Sequence, residues 1–389
     1  LSMCNGSTDQ QGCRIAILGT RGIPAKYGGF ETFAEQLSVQ LVQRGFEVTV
    51  YAESDRGDEK VRVWKGVSVQ PVPVPRWGPA SVIGYDVRCL WHARRRFDLV
   101  YMLGYGAAFA CFLPRWYGIS MWINVDGIEW ARSKWSWLAR SYLRTMEWVA
   151  SRTATRIIAD AQAIAERFRR QYPRGATCSY LAYGAPVVPE PSAGSESHAL
   201  ILATQGLQHD SYFLVVARLE PENHLLEILQ GYQLYRQWGG NLPLAIVGDN
   251  TRATPYCQVL RACKVTGVKF LGAIYDANTL QALRLGARAY VHGHSVGGTN
   301  PSLLESLGCG NVVIAHDNPF NREVLGDDGA DYFRQPNEIA SAMEAIAHMP
   351  QVVLHQRMQA AREIVTARYT WENITNQYEK LLINDVRRE

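Results

Sequence analysis

Val296-Gly297-Gly298-Thr299-Asn300-Pro301-Ser302 runs into Leu303-Leu304-Glu305-Ser306-Leu307, an apolar stretch that holds one carboxylate. Pro and Ser at the front of such a run are helix-start residues. A helix opening from a glycine-rich loop presents backbone N–H groups and the positive end of its dipole, a setting that binds phosphate. Glu305 sits about one turn inside, where a carboxylate repels phosphate and instead accepts hydrogen bonds from vicinal sugar hydroxyls. Gly298, Thr299 and Asn300 as cradle, with Glu305 as hydroxyl reader, describe a nucleotide or nucleotide-sugar site. An ordinary loop-to-helix junction with Glu305 on a solvated face is the competing reading.

Other residues extend this chemistry. Arg218 follows the apolar run Tyr212–Ala217, and a guanidinium there can grip a diphosphate bidentately and steady charge on a leaving group. Its alternative is a surface pair with Glu220 or Glu222. Gly28-Gly29 precedes a helical pattern, and only backbone without a side chain lets a phosphate or sugar approach closely at such a point. Asp126 lies just past the expected strand Met121–Val125, as an acceptor-orienting carboxylate or a plain N-cap. His292 and His294 read as pocket-lining or hydrogen-bonded histidines rather than metal ligands, since no third ligand is suitably spaced. No Asp-x-Asp triplet occurs, so the simplest carboxylate device for Mg²⁺ or Mn²⁺ on a diphosphate is missing and no metal is expected. The phosphate loop of kinases and NTPases is also absent.

The elements that must position these residues repeat. Arg14–Gly19 reads as a buried strand, Phe30, Phe33, Leu37 and Leu41 as a helix stopped near Gly45, and Phe46–Tyr51 as a second strand. Leu99–Leu103, Met121–Val125 and Arg156–Ala159 continue the series. A Pro/Ser/Gly cluster at 186–199 has linker composition. A second series then runs through Tyr212–Ala217, Leu244–Asp249, Val268–Leu271, Ala289–His292 and Val312–Ala315, with Gly248 at a strand exit. The expected architecture is α/β: two Rossmann-like, doubly wound parallel-sheet domains at 13–185 and 200–370, facing across a cleft at their strands' carboxyl ends.

Bulk properties agree. A chain of 389 residues is too long for one core, and 47% hydrophobic with 20% charged residues is globular. The eight cysteines form no C-x-x-C pair and follow no signal peptide, so reduced thiols in the cytoplasm are expected. The net charge of +4 is uneven: residues 1–190 hold 24 Lys and Arg against 16 Asp and Glu, and nine of the eleven tryptophans precede residue 150. No apolar run reaches the roughly 18–20 residues needed to span a bilayer. Arg94-Arg95-Arg96, Arg132, Lys134, Arg140 and Arg144 interleave with Trp91, Trp130, Trp135, Trp137 and Trp148. That pattern fits a peripheral contact with an anionic membrane surface, or a basic exterior over a tryptophan-filled core. Nothing points to nucleic acid.

Taken together, the residues resemble the two-domain (GT-B) glycosyltransferases of family 4, from Ile15 to a closing helix at Tyr369-Thr370-Trp371-Glu372. In such folds the helix spanning 371–389 crosses back onto the first domain. A bacterial rhamnosyltransferase-like subgroup with a DUF1972-type N-terminal domain is similar in Gly19-Thr20-Arg21-Gly22-Ile23-Pro24, Gly28-Gly29-Phe30-Glu31-Thr32, Arg218-Leu219-Glu220-Pro221-Glu222-Asn223 and Gly297 through Glu305. The resemblance implies a retaining, metal-independent transfer of L-rhamnose from dTDP-rhamnose to a polyprenyl-diphosphate-linked or other saccharide, in cell-surface polysaccharide (lipopolysaccharide) assembly at the inner face of the cytoplasmic membrane. It implies catalytic roles for Arg218 and Asp126, and donor contacts from Gly28, Gly29, Arg218, Asn223, Gly248, His294, Gly298, Thr299, Asn300 and Glu305. Two departures bear on the donor. The first of the wider family's paired glutamates falls on Gly297, and its lysine beside the cleft arginine falls on Asn223. A UDP- or GDP-hexose donor, a nucleotide-sugar epimerase and a non-catalytic nucleotide-sugar-binding protein are the alternatives. On this reading Glu305→Ala weakens nucleotide binding and leaves the fold intact.

Overall fold

The computed structural model describes residues 12–25, 28–55, 59–125, 127–132, 135–189, 196–249 and 254–386. Two compact units divide the chain: Leu1–Tyr183 together with Trp371–Glu389, and Gly184–Thr370. Of the expected linker, residues 190–195 lie outside the described residues. Its first residues lie against the second unit, where the Val188 N–H donates to the Gly308 carbonyl at 2.9 Å.

The first unit is built on eight strands: β1 (Arg14–Leu18), β2 (Glu47–Ser54), β3 (Arg62–Trp64), β4 (Val67–Pro73), β5 (Leu99–Leu103), β6 (Ser120–Val125), β7 (Arg156–Ala159) and β8 (Thr177–Tyr180). They stand in the order β3-β4-β2-β1-β5-β6-β7-β8. All neighbours are parallel except β3 and β4, an antiparallel edge pair. β5, β6 and β7 are buried along their whole length, as strands covered on both faces must be. Strand order reverses between β1 and β5, and in open α/β sheets such a point leaves a crevice at the carboxyl ends.

The second unit has six parallel strands: β9 (Phe213–Val216), β10 (Leu244–Val247), β11 (Val268–Gly272), β12 (Ala289–His292), β13 (Val313–His316) and β14 (Asp331–Phe333). Their order is β11-β10-β9-β12-β13-β14, with the reversal between β9 and β12. Arg218 leaves β9 and the Gly297–Glu305 segment leaves β12, so the two segments singled out by their chemistry flank the reversal.

The helix Trp371–Val386 belongs to the first unit. Tyr378 donates to or accepts from Tyr101 at 3.0 Å, and Asn124 Nδ2 donates to the same Tyr101 hydroxyl at 3.1 Å. Near the helix end, Asp385 accepts two bonds from the Arg156 guanidinium, both at 2.6 Å, and one from the Trp122 indole at 2.9 Å. A bidentate, largely buried ion pair of this kind fixes orientation as well as contact.

Candidate functional site

The helix Pro301–Gly308 begins as its composition predicts, with Pro301 in the first turn and Asn300 as N-cap. Asn300 Oδ1 accepts from the Ser302 N–H at 2.9 Å, and the Asn300 carbonyl accepts from Leu303 at 3.1 Å. The first turn is therefore partly satisfied by Asn300 itself, so the Ser302 and Leu303 N–H groups are already engaged.

Glu305 is not alone on its helix face. Its Oε2 lies 2.5 Å from Arg284 Nη2, with the arginine side chain only 7% exposed and the glutamate 30%. The same guanidinium donates to Ser302 Oγ at 3.3 Å, and Ser302 Oγ meets the Tyr290 hydroxyl at 2.8 Å. Tyr290 in turn donates to the Val216 carbonyl at the end of β9, at 3.2 Å. This chain ties the helix start to the strand that carries Arg218, and it aims a charged acceptor outward from a fixed base. Arg284 sits in the helix Ala277–Gly286 on a face otherwise buried through Ala282, Leu283 and Gly286. A lone charge on an apolar helix face demands a partner, but which face of this helix is buried emerges only from the fold.

Arg218 is half exposed, 58% for its side chain, and lies 3.3 Å from Glu220 Oε2. An exposed pair of this kind is weak and screened, so the guanidinium can exchange Glu220 for a better anion. Asn223 is buried and bridges two site residues: its Nδ2 donates to the Arg218 carbonyl at 2.8 Å, and its Oδ1 faces His294 Nδ1 at 2.9 Å. An amide oxygen there selects the tautomer with the proton on Nδ1. Gly248 has φ 147°, and a Cβ on it would come within 1.8 Å of the Ala217 carbonyl oxygen. Glycine is thus needed for β10 to pass the exit of β9 just before Arg218. Gly297 has φ 140°, and a Cβ there would meet His294 Nε2 at 2.8 Å, so the imidazole fills the space a side chain at 297 would enter.

Four imidazoles gather at this sheet edge. His224 and His316 stack at 4.2 Å, and His292 and His294 lie 6.1 Å apart. Burial, followed by the His294 and His316 charges, holds His292 well below its usual range. Burial, then His224, lowers His316 to about 4. Both are neutral at physiological pH. Among the described residues, no group of three or more His, Cys, Asp or Glu is arranged to hold a metal ion.

In the first unit, Gly28 is the N-cap of the helix Gly29–Gln43, with φ 36°. Carboxylates already attend this helix start: Glu31 Oε1 accepts from the Arg21 N–H at 3.1 Å and Glu35 Oε2 from the Ala25 N–H at 2.6 Å. They pin the Thr20–Ala25 loop across the helix and place negative charge where a phosphate would compete. Arg218, Asn223, Gly248, His294, Gly298, Thr299, Asn300 and Glu305 all belong to the second unit, at or beyond its strand exits, while Gly28 and Gly29 belong to the first. Asp126 lies outside the described residues.

Comparison with known proteins places this geometry in context. Residues 13–186 match the model of a domain of unknown function, DUF1972, and residues 203–363 match "Glycosyl transferases group 1". A curated relative, O-antigen chain mannosyltransferase B of Escherichia coli, is 25% identical over 193 residues, covering 46% of this chain and 47% of that protein. The chain therefore spans about half the length of that relative. Sucrose-phosphate synthase from Thermosynechococcus elongatus superposes with a TM-score of 0.79 at 15% identity, covering 97% of this chain and 100% of its own. HepE of Anabaena, solved with UDP-glucose, gives 0.73 at 17% identity, covering 95% of this chain and 99% of its own. The two matched segments follow the two units, and these two parallel-sheet α/β units match the GT-B fold of glycosyltransferase structures.

Proposed function

We propose that the protein is a retaining, family 4-like glycosyltransferase that moves L-rhamnose from dTDP-rhamnose to a lipid-diphosphate-linked saccharide during assembly of bacterial cell-surface polysaccharide, working at the inner face of the cytoplasmic membrane. The observation that carries the reading is Glu305, held by buried Arg284 one turn inside the helix that follows the Gly297–Asn300 loop. A carboxylate fixed there reads ribose hydroxyls. Arg218, exposed and weakly engaged, takes the diphosphate and steadies it as it leaves. No protein nucleophile is required if the donor's own phosphate accepts the acceptor proton, and no divalent ion is needed where Arg218 and the positive end of the Pro301–Gly308 helix neutralise the phosphates. Asp126 is assigned to the acceptor hydroxyl.

A 6-deoxy sugar suits a site in which Gly297 replaces a carboxylate and His294 supplies one polar group. The mannosyltransferase relative favours a second reading, a GDP-mannose donor on the same machinery. Titrating the protein with dTDP-rhamnose, GDP-mannose and UDP-glucose, then assaying transfer to a lipid-linked acceptor with and without EDTA, separates these. Tight binding of dTDP-rhamnose alone and EDTA-resistant transfer are expected. Preference for GDP-mannose selects the second reading, and failure to bind any of the three removes both.

A further inference from the structure

Outside the candidate site, three packed segments of the first unit turn aromatic and cationic side chains to solvent. The helix Trp137–Thr153 exposes Trp137, Leu138 and Trp148. The short helix Phe112–Trp116 exposes Phe112 and Trp116, the latter 80% accessible, with Phe109 before it and Tyr117 after. The helix Ser81–Ala93 ends at exposed Trp91.

Hydrogen bonds make these one surface. Arg115 Nη1 donates to the carbonyls of Arg152 at 2.9 Å and Ala154 at 3.2 Å, and Thr153 Oγ1 donates to Ala108 at 3.2 Å. The Tyr142 hydroxyl donates to the Gly106 carbonyl at 2.7 Å. Arg95 lies over the Tyr117 ring at 4.1 Å and joins the third segment to the second. Tryptophans expected at this surface are partly elsewhere: the Trp130 and Trp135 indoles donate inward to Glu147 and Glu129, and Arg132 is buried against Glu129. Lys134 lies outside the described residues. Trp116 and its neighbours take their place.

Among the described residues of its three segments, the face contains no exposed carboxylate. Residues 99–125 hold no Asp or Glu at all. Glu147, the one acid of the long helix, is 1% exposed and paired to Arg167, and Asp86 of the Ser81–Ala93 helix is 6% exposed. Guanidiniums instead lie on the rings, Arg94 on Trp91 at 3.8 Å and Arg152 on Trp148 at 5.8 Å. Protein interfaces are also rich in tryptophan, tyrosine and arginine, so it is the one-signed charge of this face, in a half of the chain with 24 basic and 16 acidic residues, that favours an anionic partner. Tryptophan and tyrosine mixed with arginine is the composition of the headgroup zone of a bilayer, with rings at the boundary and charge among the phosphates. Among the described residues, no helix is long and apolar enough to cross a membrane, so contact through this face is peripheral.

We propose that this face, with Trp91, Trp116, Tyr117 and Trp148 at its centre and Arg94, Arg95 and Arg152 among them, docks the protein on an anionic lipid surface. The proposal deepens the transferase reading, since a lipid-linked acceptor lies at such a surface, and it rests on that reading only for its purpose. Flotation of the full chain with phosphatidylcholine vesicles, with and without phosphatidylglycerol, tests it without any donor. Binding to the anionic vesicles alone, released as salt is raised, is expected. Trp116→Ser/Trp148→Ser and Arg94→Gln/Arg95→Gln should each lower the bound fraction about tenfold or more, with unchanged melting temperature. Equal binding to neutral vesicles, no binding, or binding that both double variants retain overturns the proposal. So does a dimer that the tryptophan variant dissolves in a protein that ignores vesicles, which would assign the face to a second copy. Nucleotide-sugar titration on the same preparations separates the two ideas: variants that bind donor but not vesicles leave the transferase reading untouched, and wild-type protein that binds vesicles but no donor removes that reading alone.

Discussion

Removing the Glu305 side chain strands the guanidinium of Arg284, which is only 7% exposed. The expectation that Glu305→Ala leaves the fold intact therefore needs revision, because an unpaired buried cation costs about 3 kcal/mol. Glu305→Ala should lower the melting temperature and weaken nucleotide binding together, whereas Glu305→Gln keeps a neutral acceptor for Arg284 and should separate the two effects. For the glutamine variant, near-native melting and a loss of about 1–2 kcal/mol in dTDP affinity are expected by calorimetric titration. Wild-type affinity would show that the carboxylate serves Arg284 alone. Arg218→Lys has no such structural cost, since its present partner is the exposed contact with Glu220. It should reduce kcat more than it raises the donor KM, because the planar fork matters most as charge builds on the leaving diphosphate. Steady-state kinetics with an unchanged kcat would take Arg218 out of the reaction. Glu305 and Arg218 were legible in the sequence because each sits where a loop changes into an element. Arg284 was not, because its partner lies 21 residues on and its helix looks ordinary until its buried face is known.

At the scale of elements, what could be read depended on whether a segment announces itself without its neighbours. The fully buried strands β5, β6 and β7 and both glycine-led helices have composition enough to stand out. β4 does not, because Pro71 and Pro73 lie in it. Proline is tolerated there because β3 pairs only with Val67–Val69, leaving β4 itself as the sheet edge at 71 and 73. β8 (Thr-Cys-Ser-Tyr) and the three-residue β14 are strands because a neighbour offers them a ladder, a fact outside their own sequence. The returning helix Trp371–Val386 poses the same question of what holds it. Asp385 answers it with three hydrogen bonds, two of them from Arg156, whose side chain is 10% exposed. Asp385→Ala should cost about 3–5 kcal/mol by leaving that arginine unpaired, and should loosen the terminal helix first. Hydrogen exchange that quickens in 371–386 well before the sheet is the expected pattern. Unaltered protection would mean that the Tyr101–Tyr378 contact and the aromatic packing of Phe33 and Trp371 suffice.

Across the whole molecule the two units should answer acid in opposite directions. In the first, burial and then the charge of Glu53 raise Asp86 to about 8, and burial raises Glu53 itself. An unfolded aspartate titrates near 3.9. Between these values the folded state binds the extra proton, so stability is greatest on the acid side and declines as pH rises towards 8. The loss is on the order of several kcal/mol. In the second, His316 titrates at about 4 when folded, against 6.5 ordinarily, and His292 is displaced the same way. There the unfolded state binds the extra proton, so stability is full above about 6.5 and falls as pH drops towards 4. His316 contributes on the order of 1–2 kcal/mol once solvent screening of a half-buried ring is allowed for. Tryptophan separates the two responses. Ten of the eleven tryptophans belong to the first unit, since Trp371 joins the nine before residue 150, and only Trp238 belongs to the second. Emission thus follows the first unit, while calorimetry records both and need not be two-state in a chain of this organisation. From pH 8 to pH 5 the tryptophan-monitored transition should move up in temperature as a second calorimetric transition moves down. Asp86→Asn should flatten the first trend and His316→Asn reduce the second. Parallel movement of both transitions with pH, or an Asp86→Asn protein with the wild-type slope, would show that neither buried group governs its unit's response.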